Sequence, residues 1–490
     1  MSPERLTPNF YQELAKSSEK PQHECGVFGI YYPTADVSRL TFYGLYALQH
    51  RGQESVGIAV TTDNKIACHK QMGFVSSLHD EDISKLKGFA AIGHTRYSNT
   101  GGTTIANAQP ATCQSELDEI AVSENGNLVN SENLRKKLSE MGFQPSTLDG
   151  SKCSSDGELI VQSIAAARGE SWVEKIQNAS LDFSGAYSLT ILAGSTLFGV
   201  KDPLGFWPLC LGKINDNGFV LASESCAFDT IGAKFIRELE PGEIIAIDSE
   251  GVKSFYLPGR VEGQSAFCAF DVNYFLRPES KHLGGEQAYQ VRMRLGEQLA
   301  IEHPVDADIV VGVPDSGEFC AIGYSRQSGI PLVVGFIKNK YIGRTFIMPD
   351  QRIRELGVRL KLNPLEEELR GEKIVLGDDS AVRGTNSKMI TTMLFELGAK
   401  EVHWRFAFPQ ITDPCHFGID TYSSKELISA GRTTDEVCKE IGATSVGFNS
   451  IEGFEKALGQ SLSKFCRGCF TGEYPMPVPR QRDKKILERV

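Results

Sequence analysis

Between residues 250 and 265 the hydrophobic rhythm of this chain changes, and that change limits the folds open to it. From Cys25 to about Asp248 the apolar residues fall in short runs that read as strands: CGVFGIYY, SVGIAV, AAIGHTRYS, IAVSENGNLV, AYSLTILAG and FVLASES. Two inserted stretches, TFYGLYALQHRG and DGELIVQSIAAARG, carry helical spacing, and turn signals such as Glu124-Asn125-Gly126-Asn127 read as hairpins. This pattern predicts an antiparallel, layered α+β unit. Beyond the change, DIVVGVP leads into a helix (FCAIGYSRQSG), then PLVVGFI, then KIVLGDD into a helix (SKMITTMLFELGA), then EVHWRFAF. Strand and helix alternating at that spacing predict βαβ units, hence an α/β domain with a parallel sheet. A chain of 490 residues can give each part its own core. The expected division is a polar leader over 1–24, a first domain over 25–262 and a second over 263–490.

A net charge of -11, with 41% hydrophobic and 23% charged residues, is ordinary for a soluble globular chain. No basic excess marks a nucleic-acid binder, so none is expected, whereas a small phosphorylated substrate needs only local positive charge. No apolar run reaches the ~20 residues that span a bilayer, so no membrane partner is expected. The leader MSPERLTPNFYQELAKSSEKPQHE lacks the apolar core of a secretory signal. The expected location is the cytoplasm, where the twelve cysteines stay reduced; Cys210 and Cys320, for example, read as buried thiols. The basic end RQRDKKILERV reads as exposed.

Cys25 opens the first strand directly after the leader. A cysteine at a strand start is most often structural. If the leader is removed, however, Cys25 carries a thiol and a free α-amine, whose ordinary pKa of about 8 lets it act as general base for its own side chain. The neighbours give that arrangement a substrate. His94-Thr95-Arg96-Tyr97-Ser98 ends a strand, where the Arg96 guanidinium can pair bidentately with an α-carboxylate. Asn125 and Gly126 are expected in a turn after IAVSE, where a side-chain amide and a backbone N–H can point at one oxyanion. Asp156 opens a helix, where it serves as an N-cap or accepts a hydrogen bond from a substrate α-ammonium. A thiol nucleophile, oxyanion donors and holders for both ends of an amino acid together make a glutamine site.

In the second half, Asp308 to Pro314 runs as an apolar strand into the loop Asp315-Ser316-Gly317 and a helix. Lys373 to Gly377 runs into Asp378-Asp379-Ser380, then Arg383-Gly384-Thr385-Asn386 and a second helix. Paired acids at the C-terminal end of a parallel strand suit ribose hydroxyls, and the Ser/Gly/Thr turn at a helix N-terminus offers N–H groups to a phosphate. A charged strand end with an ordinary turn is the bland alternative, and it does not readily account for this order. The segment from Lys338 through Tyr341 to Thr345 is basic and holds a glycine, so it can cover a polyphosphate and exclude water, or simply lie solvated. Near the C-terminus, Cys466-Arg467-Gly468-Cys469 is a C-x-x-C, which alone fits a redox pair, half a zinc site or chance.

Cys25-Gly26-Val27-Phe28-Gly29, the run ALQHRGQES from Ala47 to Ser55, His94 to Ser98, and Asn125 to Leu128 together resemble the class II, N-terminal-nucleophile glutamine amidotransferases. The 47–55 run is similar to that of the amidophosphoribosyltransferase family, and the resemblance extends from about Cys25 to Pro475. It implies an Ntn-hydrolase αββα sandwich, a cleaved propeptide over 1–24 and a glutamyl thioester on Cys25. It also implies that Arg96 and Asp156 hold glutamine while Asn125 and Gly126 form the oxyanion hole. The run from Gly371 to Ser387 resembles the phosphoribosylpyrophosphate (PRPP) motif of type I phosphoribosyltransferases. By that resemblance Asp378 and Asp379 engage the ribose and its Mg2+, and Ser380, Arg383, Gly384 and Thr385 hold the 5′-phosphate. Ser316 takes the pyrophosphate and Mg2+, and Lys338 and Tyr341 lie in a loop closing over PRPP. The implied reaction moves glutamine-derived ammonia onto PRPP, giving 5-phosphoribosylamine, glutamate and pyrophosphate, the first step of purine synthesis. The family also implies a homo-oligomer, a tetramer, with purine nucleotides as feedback inhibitors.

Phe470 to Pro475 (FTGEYP) resembles the tail of the cluster-bearing subgroup of that family. There a [4Fe–4S] cluster takes four thiolates, which the resemblance puts at Cys268, Cys415, Cys466 and Cys469. Four thiolates also fit structural zinc; the resemblance favours iron, as a staple and not an electron carrier. Some places depart from the family pattern. Glu124 stands where a His is common, Trp207 for an Arg, Asn386 for a Thr, and Ala407 to Gln410 for a Ser-Ser-Pro-Pro-like stretch. A carboxylate at 124 would oppose an oxyanion if it pointed inward, and on an alternating strand it can equally face away. Two other functions stay open on sequence alone: a catalytically weakened paralogue kept as a nucleotide-sensing subunit, and an amidotransferase with another sugar-phosphate acceptor.

Overall fold

The structure, a computed structural model, describes residues 25–62, 65–98, 101–143, 153–282, 284–339, 362–479 and 487. The leader and Tyr341 lie outside these residues. Alternation governs the first part. Strand β1 (Gly26–Tyr31) turns Val27 and Tyr31 to one side and Phe28 and Ile30 to the other, and both sides are covered. It is followed by β2 (Ser55–Thr62), β3 (Lys65–Met72), β4 (Ala90–Arg96), β5 (Ala111–Gln114), β6 (Glu119–Leu128), β7 (Gly185–Ala193) and β8 (Thr196–Lys201). Then come β9 (Cys210–Ile214), β10 (Gly218–Ala222), β11 (Lys234–Glu238), β12 (Glu243–Asp248) and β13 (Gly251–Tyr256). They form two sheets, ordered β11-β9-β10-β1-β4-β2-β3 and β13-β12-β8-β7-β6-β5.

Val27, Ile92, Leu192, Leu221 and Ile245 pack between the sheets. The helix Val37–Ala47 sets Val37, Leu45 and Ala47 against Phe28 and Ile30 outside the first sheet. The helix Asp156–Ala166 sets Leu159, Ile160 and Ile164 against Ile120 and Val122 outside the second. Helix, sheet, sheet and helix stack as an αββα sandwich. Each such side chain contributes about 1.5–3 kcal/mol by burial, so the doubly apolar sheets hold the layers together.

The expected turn at Asn125-Gly126 is absent. Strand β6 runs unbroken, with Asn125 opposite Ser188, Gly126 opposite Tyr187 and Asn127 opposite Ala186 on β7. Gly126 marks a close approach instead: a Cβ there would lie 2.0 Å from the Ala186 carbonyl oxygen.

In the second part, Leu332–Val333, Ile309–Gly312, Lys373–Asp378, Glu401–Phe406 and Ser445–Phe448 pair in that order, all parallel. Val310 and Val375 meet Leu295, Leu299 and Tyr324 of the helices Ala288–Glu302 and Glu318–Ser328. Val311, Ile374 and Leu376 meet Ile390, Leu394 and Val437 of Thr385–Glu396 and Thr434–Ile441 on the other face. Helices on both faces are what a parallel sheet requires. The expected strand PLVVGFI is split. Leu332–Val333 joins the sheet, whereas Phe336–Lys338 pairs antiparallel with Leu362–Pro364.

A short parallel pair, Phe267–Cys268 with Phe465–Cys466, ties the start of the second part to its tail. Leu487, expected to be exposed with the basic end, is instead buried in the apolar layer beneath the 156–166 helix, and its carbonyl accepts from Arg135. One leucine among charges has an apolar face to gain by docking. All twelve cysteines are free thiols.

Candidate active site

Strands β1 and β4 pair antiparallel with Gly26 opposite Thr95, which brings Cys25 beside Arg96 and Tyr97 at the end of β4. Cys25 directly precedes β1, and its thiol donates to the Tyr97 carbonyl at 3.3 Å. Burial, with a smaller push from the Glu124 carboxyl when ionised, raises that thiol to about 12. It is therefore protonated at neutral pH, and its use as a nucleophile requires a base.

Along β6, Ala121 packs between the sheets while Ile120 and Val122 pack under the helix. By alternation Asn125 shares the inner face and Glu124 the helix side. Asn125 is fully buried, yet neither its Nδ2 nor its Oδ1 has a hydrogen-bond partner among the described residues. Leaving such groups unmet costs about 1–3 kcal/mol each. Arg96, also buried, donates from Nη1 to the Gly102 carbonyl at 3.1 Å. Asp156 is the first residue of its helix and Ser155 is the N-cap, so the capping role expected for Asp156 falls away. Its carboxylate instead accepts from the Leu128 N–H at 2.9 Å and from Ser131 Oγ at 2.6 Å. Glu124 accepts at Oε2 from Gln109 Nε2 (3.2 Å), and Gln109 Oε1 accepts from the Glu124 N–H (2.7 Å). Burial and the nearby Asp156 carboxylate hold the Glu124 carboxyl far above the usual carboxylate range. Facing the helix, with its ionisation opposed by burial and by Asp156, it is turned away from an oxyanion at Asn125.

At the C-terminal edge of the parallel sheet, Asp378 ends its strand and Asp379 follows, both buried. The Asp379 N–H donates to Asp378 Oδ1 at 2.9 Å, and Ser380 Oγ donates to Asp379 Oδ1 at 2.5 Å. A Cβ on Gly317 would lie 2.3 Å from the Gly377 carbonyl oxygen and 2.8 Å from Asp378 Cα, so the Ser316 loop rests directly on the acid-bearing strand end. Gly384, at φ 78°, is the N-cap of the helix that Thr385 begins, and no side chain caps it. The positive end of that helix is thus turned to the loop, where an anion would be stabilised. Lys338 pairs with Asp315 beside Ser316. Arg383 pairs with Glu426 at 2.6 Å, which anchors the loop. The structure thus gathers Ser316, Lys338, Asp378, Asp379, Ser380, Gly384 and Thr385 at one edge.

Cys268, Cys415, Cys466 and Cys469 line one cavity with Phe206, Trp207, Phe417, Ile419 and Tyr474. The Phe417 N–H donates to Cys415 Sγ at 3.4 Å. Trp207 donates from Nε1 to the Phe417 carbonyl at 3.0 Å, so this departure packs the first part against the cavity wall. Among the described residues, no group of three or more His, Cys, Asp or Glu is arranged to hold a metal ion.

Sequence reasoning missed a buried charged junction. Arg51 donates from Nη1 to Glu224 Oε1 (2.5 Å), from Nη2 to Asp271 Oδ1 (3.0 Å) and from Nε to the Cys25 carbonyl (3.4 Å). Glu224 also meets His50 Nε2 at 2.7 Å and accepts from the Arg277 N–H and Ser280 Oγ, each at 2.8 Å. Burial alone would raise the Glu224 carboxyl; His50 and Arg51 reverse that and hold it well below the usual range. In the sequence His50 and Arg51 stood within the ALQHRGQES run, but nothing marked Glu224 or Asp271 as their partners.

An αββα sandwich opening on a cysteine, followed by a parallel sheet with an acid pair and anion loop at its edge, defines a glutamine amidotransferase joined to a phosphoribosyltransferase. Residues 94–230 match the family described as glutamine amidotransferase domain. The amidophosphoribosyltransferases of Synechococcus elongatus and Methanocaldococcus jannaschii are each 44% identical to the chain. Those matches cover 96% and 95% of this chain, and 96% and 100% of those proteins. A solved structure of glutamine PRPP amidotransferase from B. subtilis, complexed with ADP and GMP, gives a TM-score of 0.86 at 40% identity over 93% of this chain and 98% of its own. Another, described as the allosteric regulatory enzyme of purine biosynthesis, gives 0.86 at 41%, over 93% of this chain and 97% of its own. The chain belongs to the amidophosphoribosyltransferase family, whose reaction opens purine biosynthesis. Neither alternative function finds support. No helix among the described residues is long and apolar enough to cross a membrane.

Proposed function

We propose that Cys25, freed by removal of residues 1–24, is the nucleophile that releases ammonia from glutamine, and that the ammonia displaces pyrophosphate from PRPP at Asp378 and Asp379. The observation that carries this reading is the buried, unpartnered amide of Asn125 on the inner face of β6, next to Glu124, whose carboxyl acts on the Cys25 thiol. Arg96 pairs with the glutamine α-carboxylate. Asp156, which accepts from the Leu128 N–H and Ser131 Oγ, takes the α-ammonium as a further donor. Cys25 Sγ attacks the carboxamide carbon as its proton passes to the α-amine of the same residue. Asn125 Nδ2 and the Gly126 N–H hold the oxyanion. Collapse expels ammonia, which takes the proton from the α-ammonium, and water then hydrolyses the thioester to glutamate.

Ammonia attacks the anomeric carbon of PRPP as the bond to pyrophosphate breaks. Asp378 and Asp379 hold the ribose hydroxyls, the loop of Ser380, Arg383, Gly384 and Thr385 takes the 5′-phosphate, and Ser316, with the segment of Lys338 and Tyr341, meets the pyrophosphate. Mg2+, when bound near Ser316, Asp378 and Asp379, neutralises charge on the leaving pyrophosphate. The four cysteines suit a [4Fe–4S] cluster. Four thiolates lining one cavity would hold either a cluster or structural zinc, and the family resemblance favours iron. Purine nucleotides are the proposed inhibitors, since the B. subtilis relative was solved with ADP and GMP. A cytoplasmic homo-oligomer completes the reading.

Intact mass should show active protein beginning at Cys25. Cys25→Ala should abolish glutamine-dependent synthesis and keep ammonia-dependent synthesis. An active enzyme still carrying Glu24 on Cys25 would reject the α-amine as base.

A further inference from the structure

One buried side chain joins the two ends of the proposed glutamine pocket: Asn107, which closes the short helical turn Ile105–Asn107. Its amide uses its full bonding capacity. Nδ2 donates to the Gly102 carbonyl at 2.8 Å and to Ser154 Oγ at 3.0 Å. Oδ1 accepts from the Ser154 N–H at 2.7 Å and from Cys153 Sγ at 3.2 Å. The Gly102 carbonyl is also the acceptor of Arg96 Nη1, at 3.1 Å. Cys153 and Ser154 lead through the N-cap Ser155 into Asp156. Asn107 thus links the loop that holds the Arg96 guanidinium to the segment that delivers the Asp156 carboxylate. The packing leaves that link little slack. A Cβ on Gly101, at φ 77°, would lie 2.3 Å from the Ser154 carbonyl oxygen, and one on Gly157 would lie 2.6 Å from Gln109 Nε2. Arg135 Nη2 also donates to the Cys153 carbonyl, at 3.0 Å.

We propose that Asn107 is a positioning residue that sets the span between Arg96 and Asp156, and so makes the pocket select an amide carrying both an α-carboxylate and an α-ammonium. The inference rests on the assignment of those two residues to the ends of glutamine. In an α-amino acid both charged groups sit on one carbon, so their separation is fixed. A pocket whose two partners are locked at the matching span is ordered before glutamine arrives, and that preorganisation appears as affinity. Asn107 bonds to Gly102, Cys153 and Ser154 and, among the described residues, to none of Cys25, Asn125 or Gly126. Its loss should therefore weaken the hold on the substrate ends and spare the chemistry at the amide.

The test compares glutamine kinetics of the mature full-length enzyme, with PRPP at saturation, for the unaltered chain, Asn107→Leu and Asn107→Asp. Asn107→Leu removes every bond of the amide at nearly constant volume. Asn107→Asp keeps the acceptor for Ser154 and Cys153 and loses the donor to Gly102. In Asn107→Leu the KM for glutamine should rise about tenfold, the weight of one or two hydrogen bonds, with kcat held within about twofold. Ammonia-dependent synthesis should not change. The inhibition constant of L-glutamate, which has the same two ends and no amide, should rise by the same factor. Asn107→Asp should shift both quantities in the same direction by less. An unchanged KM, unchanged glutamate inhibition, or a kcat that falls as far as KM rises would overturn the proposal. If neither variant folds, hydrogen exchange on the unaltered enzyme decides: saturating L-glutamate should slow the 101–108 and 153–157 segments together, and slowing in one alone overturns the link. Arg96→Gln and Asp156→Asn test the underlying assignment. If neither raises the KM for glutamine, the ends of glutamine lie elsewhere and the reading of the pocket fails; if both do and Asn107→Leu does not, only the role of Asn107 fails.

Discussion

A single side chain direction decides whether Glu124 damages the amidase site. On the inner face it would set a negative charge against the oxyanion. On the helix side, bonded to Gln109, it is a buried carboxyl whose ionisation is opposed by burial and by Asp156. Its folded pKa therefore lies above the ordinary value of 4.5, so the stability it contributes is fully present below that value and is lost as pH rises through the raised one. Glu124→Gln keeps the contact and removes the titration. The melting temperature of the unaltered protein should fall relative to the variant between about pH 5 and about pH 9, the gap reaching on the order of 1–3 kcal/mol. Thermal denaturation of both proteins across that range reads it directly; a flat difference would mean that Glu124 is ionised throughout.

At the scale of elements, Gly126 is the instructive position. Asn-Gly is among the strongest short-range hairpin signals, yet here the glycine lets β6 lie hard against β7 while pointing Asn125 inward. Gly126→Ala should force the strands apart, costing about 1–3 kcal/mol or more, and should abolish glutaminase activity through the displaced Asn125. An active, equally stable Gly126→Ala protein would show that the strand pair accommodates the side chain. The alternation of β1 and the strand, acid pair and loop at 373–385 were legible because their signal is local. The Arg51, Glu224 and Asp271 junction was not, since its partners lie 173 and 220 residues away along the chain. The 332–338 run was misread because its second half leaves the sheet for a separate antiparallel pair, a tertiary choice that apolar composition does not record. The four cysteines, scattered over three segments, were legible only through resemblance to a family, and the fold then brought them to one cavity.

Over the whole molecule, those cysteines come from segments far apart in the chain that share one apolar core. Cys268 lies at the start of the second part, Cys415 after its fourth parallel strand and the other two in the tail, where the two-residue pair of Phe267–Cys268 with Phe465–Cys466 supplies a short ladder. A cluster held by all four would close several long loops at once. Such closure removes unfolded-state entropy, and metal binding is itself folding free energy. Trp207, bonded to the Phe417 carbonyl across the cavity wall, extends that effect to the amidase sandwich. Protein purified without oxygen should accordingly be brown, with about four irons and four labile sulfides per chain. Air should remove colour, protease resistance and activity together. Serine at 268, 415, 466 or 469 should reproduce that loss, whereas serine at Cys68, Cys113 or Cys438, none of which lines the cavity, should leave colour and stability unchanged. Iron and sulfide analysis beside limited proteolysis distinguishes the outcomes: a colourless, zinc-loaded protein fully active in air would reject the iron assignment and leave the amidotransferase chemistry standing.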